Sequence, residues 1–136
     1  MRRRTWGRRR STSRQGTASV EFALCLPILI VFVFGAVETS NAVYLQSGLT
    51  SACYEASNYV TDSGNTSATA QTRANAVLTS LGINGGTVTI SPTVTASTAL
   101  GTQITITCSA PLSSNSVMFG VLGSRTLTAR IICKRL

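Results

Sequence analysis

Residues 22–37, Phe-Ala-Leu-Cys-Leu-Pro-Ile-Leu-Ile-Val-Phe-Val-Phe-Gly-Ala-Val, form an uncharged apolar run, and no other feature restricts the fold so strongly. With Thr17–Glu21 in front of it the segment spans about 31 Å as a helix rising ~1.5 Å per residue, which matches a hydrocarbon core of ~30 Å. The competing reading is a buried core helix. Such helices are rarely apolar all round for so many residues in a chain of only 136. The run is therefore expected to be a transmembrane helix over 17–37.

Charge supplies the orientation. Arg2, Arg3, Arg4, Arg8, Arg9, Arg10 and Arg14 account for seven of the twelve basic residues and precede the run with no acid among them. The rest of the chain carries five basic against four acidic residues, so the +8 belongs to the leader. Cytoplasmic flanks hold the Lys/Arg excess, which predicts residues 1–16 inside and 38–136 outside the cytoplasm. Arginine clusters also neutralise nucleic-acid phosphates, but Trp6 is the one stacking aromatic nearby and an apolar span follows at once, so no nucleic-acid partner is expected. A removable secretory signal is the other alternative, with Val33-Phe34-Gly35 as a weak cleavage site; the run is long for that use.

The acids and histidines argue against an enzyme. There is no histidine, and Glu21, Glu38, Glu55 and Asp62 are spread along one segment without obvious partners. Imidazole bases and histidine-containing metal sites are thereby excluded. Serine and threonine are abundant, yet a hydroxyl nucleophile needs a base, and the single lysine is Lys134, at the far end of the chain. No cofactor is called for, and no metal-like cysteine spacing is present.

Glu21 stands at the start of the apolar run, where a carboxylate must reach the interface or find a cation. An interfacial acid near a helix N-terminus, favoured by the dipole, is the simplest account. The residues around it say more. Gly16-Thr17-Ala18-Ser19-Val20-Glu21-Phe22-Ala23-Leu24, then Leu26-Pro27 and Gly35-Ala36-Val37-Glu38, resemble the N-terminal signature of the TadE-like family, pseudopilins or minor pilins of the bacterial tight-adherence (Flp, type IVb-like) pilus. The resemblance implies a class III signal peptide cut by a membrane prepilin peptidase between Gly16 and Thr17. Glu21 then becomes the fifth residue of the mature chain and, beside Phe22, registers subunits by pairing with the new Thr17 amine of a neighbour. It further implies an inner-membrane, single-pass protein with a periplasmic C-terminal domain, whose partners are the bilayer, the prepilin peptidase, other pilins and the tight-adherence assembly platform.

Past the span, Gly35, Ala42, Leu45, Leu49, Ala52, Ala56 and Tyr59 recur at alternating intervals of three and four, with Glu38 in the vacant slot. That seam predicts one helix from about 17 to 61. Its packing residues, Leu45, Leu49, Ala52 and Ala56, are assigned to the chain's own domain in preference to a neighbouring subunit. Relatives of the TadE-like type often read Ala-x-Arg-Glu-Ala-Ala-Arg-Tyr here; this chain keeps Glu55, Ala56 and Tyr59 but has Tyr54 and Asn58 in place of the arginines.

The remainder predicts an α+β domain. Polar residues and Gly64 end the helix near 62; a second helix over 67–81 shows Ala70, Ala74, Val77, Leu78 and Leu81 on one face and stops at Gly82. Three alternating segments within 87–134 then read as a mainly antiparallel sheet: Val88 and Ile90, continuing toward Val94; Ile104, Ile106 and Cys108; and Leu127, Ala129, Ile131 and Cys133. This outline also resembles the whole TadE-like architecture. Cys25 reads as a packing residue of the span. Outside the cytoplasm disulfides persist, so Cys53, Cys108 and Cys133 are candidates for one. In a plain hairpin Cys108 and Cys133 lie six strand residues, about 20 Å, apart, beyond the ~7 Å Cα limit for a bridge. A bond from Cys53 to one strand cysteine, with the third thiol free, is the expectation. The alternative to the pilus reading is a signal-anchored or secreted extracytoplasmic binding domain.

Overall fold

The computed structural model describes residues 13–116 and 125–136, with side chains from Gly16 onward. Of the arginine-rich leader expected over 1–16, residues 1–12 therefore lie outside the described residues, and 13–16 begin α1. Helix α1 covers Ser13–Thr61 and continues through Pro27. The chain divides into two compact units after Ala36, the second being Val37–Leu136.

The second unit has the expected α+β composition. Helix α2 covers Ser67–Ser80 behind an extended Thr66 N-cap, whose hydroxyl accepts the Thr69 N–H at 3.4 Å. It ends where Gly82 takes φ +68°, a backbone state that L side chains resist, and the Leu78 carbonyl then accepts the Ile83 N–H at 2.9 Å. Strands β1 (Thr87–Ser91), β2 (Gln103–Pro111) and β3 (Thr126–Lys134) form an antiparallel sheet in the order β1-β2-β3. Period-two alternation turns Ile104, Ile106, Cys108 and Ala110 inward on the central strand, all fully buried. The opposite face carries hydroxyls, with Thr87 opposite Ser109 and Thr89 opposite Thr107.

Two strand limits depart from the sequence reading. β1 stops at Ser91 instead of running toward Val94, because Pro92 has no N–H to give the ladder. β2 runs past Cys108 to Pro111, and the register places Cys108 opposite Ala129 and Cys133 opposite Ile104. Four strand residues thus separate the two cysteines, about 13 Å, which is shorter than the hairpin estimate and still too far for a bridge.

The core of the unit lies between α1, α2 and the inner sheet face. Leu45, Leu49, Ala52, Cys53, Ala56 and Val60 come from α1, Ala70, Ala74 and Leu78 from α2. Ala52 and Ala56 are small, which lets α1 lie close to β2. Gly48 does the same for the segment after α2: a Cβ built there falls 2.5 Å from Ile83 Cδ1. The last residues close the unit. The Arg135 N–H backbone group donates to Thr102 O at 3.0 Å and the Leu136 N–H to Thr61 O at 3.0 Å. The Arg135 side chain is 2% exposed and donates to Val60 O at 2.7 Å and Asn65 O at 3.1 Å. A cation thereby sits at the C-terminus of α1, where the helix dipole favours it.

Candidate functional site

The candidate site is the first part of α1. From Val20 to Val37 twelve large apolar side chains stand exposed, among them Leu24 at 71% and Phe32 at 71%. Burying each contributes ~1.5–3 kcal/mol, so a stretch of this size demands an apolar surrounding. The helix is long and apolar enough to cross a membrane, and none of its most apolar window is buried inside the protein. Such a segment suits a single-pass membrane anchor.

Gly16 and Thr17 lie in the first turns of α1 and are exposed. Nothing lies within 4 Å of a Cβ built on Gly16. Proteases take their substrates as extended chain, so access to the Gly16–Thr17 bond requires the first turn to unwind. A glycine one turn from the helix start weakens that turn by ~1 kcal/mol relative to alanine. Glu21 and Phe22 are exposed on the same helix, and no described residue pairs with the Glu21 carboxylate. Thr17 and Glu21 are four apart, hence on one face. The first turn of α1 as it stands contains no acid. Glu21 is the one carboxylate between Gly16 and Val37.

Leu45, Leu49, Ala52 and Ala56 are all within the core of the second unit, so this part of the seam faces the chain's own sheet and α2. Glu38, also on the seam, is 4% exposed and accepts the Ser116 hydroxyl at 3.0 Å. Tyr59 is half-buried, and the guanidinium of Arg73, from α2, lies 4.8 Å from its ring centroid.

Cys53, Cys108, Cys133 and Cys25 all carry free thiols. Cys53 and Cys108 are fully buried and perturb each other's ionisation, while Cys133 is half-buried and remote from Cys108. The Cys53 thiol donates to Ala129 O at 3.5 Å. Cys108 is held well above the ordinary thiol range, by the hydrogen bond to Cys53 first and by burial second. Acceptance of that bond lowers Cys53, against an opposing contribution from burial.

Sequence reasoning missed three structural residues. Arg135 reads as part of a basic terminus and is buried. Asn115 is a turn hub: its amide donates to Asn84 O at 2.8 Å and Pro111 O at 2.9 Å, and its Oδ1 accepts the Asn84 N–H at 2.7 Å. Ser67 exchanges bonds with Val94, accepting its N–H at 2.7 Å while the Ser67 N–H donates to Val94 O at 2.9 Å. Of these, only Ser67 carried a local signal, as the expected first residue of the second helix.

An exposed apolar helix followed by a small α+β unit is consistent with a single-pass membrane anchor. Residues 16–58 match the family model described as TadE-like protein, so the resemblance first carried by Gly16–Glu38 extends over the apolar helix and its continuation through Asn58. No curated protein and no solved structure matches the chain.

Proposed function

We propose that this chain is a TadE-like pseudopilin, a structural minor pilin of the tight-adherence pilus and not an enzyme. It is made as a precursor, inserted with its basic leader in the cytoplasm and its second unit in the periplasm, cut by a prepilin peptidase after Gly16, and incorporated by lateral packing of its apolar helix. The observation that carries this reading is the family match, which begins at Gly16 itself and runs through the exposed helix. Lateral packing buries the apolar side chains that the protein leaves uncovered, against lipid before assembly and against other pilin helices after it. In that low-dielectric setting the Glu21 carboxylate pairs with the Thr17 ammonium of a neighbour, and a misregistered subunit leaves a buried charge unpaired, which costs several kcal/mol.

Two measurements test it in cells that possess the pilus system and its peptidase. Intact-mass analysis is expected to find a chain starting at Thr17, without the seven leader arginines. A chain that keeps its leader contradicts the reading, and one starting near Ala36 favours a secreted domain. Glu21→Ala is expected to insert and be cut normally but to be missing from sheared pili. Unaltered incorporation removes the pairing role of Glu21.

A further inference from the structure

The two fully buried thiols of the second unit, Cys53 and Cys108, both belong to its core. Cys53 sits on α1 between the small residues Ala52 and Ala56, where helix and sheet approach closely. Its Sγ lies 3.5 Å from Ala129 O and 4.0 Å from Ile106 O. Those two carbonyls bracket Cys108: Ile106 precedes it on the inward face of β2, and Ala129 is its register partner on β3. Cys133 is excluded by register, since it pairs with Ile104 at the other end of the strand.

We propose that Cys53 and Cys108 close into a disulfide that ties α1 to the central strand, with Cys133 left as a thiol. The presence of an oxidising environment rests on the periplasmic placement proposed above; the pairing itself rests on the geometry. A thiol–disulfide oxidant supplies the chemistry. The Cys53 thiolate attacks the oxidant's disulfide, forming a mixed disulfide and expelling one oxidant thiolate. Cys108, deprotonated, then attacks Cys53 Sγ and releases the second. Two protons and two electrons leave the cysteine pair, and the oxidant's disulfide becomes a dithiol. In the folding chain, where neither thiol is yet covered, either of the two can be the first nucleophile. Because both are buried once folded, the exchange belongs to the folding chain.

Two neighbouring buried cysteines that merely fill space as small hydrophobes remain reduced, and this is the distinguishing outcome. The full-length protein, in non-ionic detergent, is unfolded in urea and refolded in an oxidised/reduced glutathione buffer. Remaining thiols are then alkylated under denaturing conditions and peptides are mapped by mass spectrometry. The expected product links Cys53 to Cys108 and shows alkylated Cys25 and Cys133. Quantitative alkylation of Cys53 and Cys108, or a bond involving Cys133, overturns the proposal. The oxidised protein is expected to unfold about 2 M higher in urea than the reduced one, because a crosslink across this long loop restricts the unfolded chain. The double variant Cys53→Ala with Cys108→Ala is expected to unfold at the same urea concentration in both buffers; a persistent difference places the bond elsewhere. None of these readouts depends on the cut at Gly16, so failure of the pilus reading is separately visible in the mass of the N-terminus.

Discussion

Removal of the Arg135 side chain is the sharpest test of how the second unit is held closed. The guanidinium donates at 2.7 Å to Val60 O, at 3.1 Å to Asn65 O and at 3.5 Å to Thr95 O, and only the first two are short enough to count fully. Charge-assisted bonds of this kind contribute ~1.5–3 kcal/mol each, while burying the cation opposes them by several kcal/mol. Its Nε has no acceptor among the described residues, which trims the gain further. Arg135→Ala erases the bonds, leaves the carbonyls of Val60, at the end of α1, and Asn65, in the connection to α2, without this donor at ~1–3 kcal/mol each, and opens a void where the stem lay. A net loss of about 3–5 kcal/mol follows. With a urea slope of ~1.5 kcal/mol/M, this moves the unfolding midpoint down by about 2–3 M. The assay uses the full chain in detergent under reducing conditions, with a brief maleimide pulse at each urea concentration. Labelling at Cys53 and Cys108 reports opening of the unit, since both are 0% exposed when it is closed. Arg135→Met, which keeps most of the stem volume, separates polar from packing contributions. If Arg135→Met unfolds with the wild type while Arg135→Ala does not, the carbonyl clamp contributes nothing and the reasoning fails.

Two further substitutions probe other closures in the same assay. Gly48→Leu must displace Ile83 from α1 and is expected to lose ~2 kcal/mol despite a better helix residue; a midpoint equal to wild type shows that the segment after α2 yields freely. Ser67→Ala removes the acceptor of the buried Val94 N–H and is expected to lose ~1–2 kcal/mol, visible also as faster amide exchange at Val94.

The elements that depend on local chemistry were the legible ones. Alternating threes and fours in α1 marked the residues that reach the core, period two marked the inward face of β2, and Gly82 marked the end of α2 by its need for positive φ. The fold class followed from that patterning, and the first functional segment was readable because Gly16, Glu21 and the apolar run are contiguous. What depends on docking was not legible. Arg135 looks like any basic residue beside Lys134 until the sheet carries it onto the end of a helix 75 positions earlier in the chain. Arg73 reaches Tyr59 only because α2 folds back along α1. The Cys53–Cys108 contact needs both the helix rotation and the strand register, and the hairpin estimate erred because β2 extends three residues beyond Cys108.

The contact between the end of α1 and residues 135–136 also sets a timetable. Synthesis delivers the helix before its clamp and before β3, the third strand of the sheet. No partial chain ending before Thr126 has a third strand, and none ending before Arg135 has its helix end secured. The second unit is therefore obliged to mature after its final strand arrives, in whichever compartment receives that strand. Until then the core that covers Cys53 and Cys108 lacks Ala129, and for the disulfide proposed above this interval is the one in which an oxidant has access.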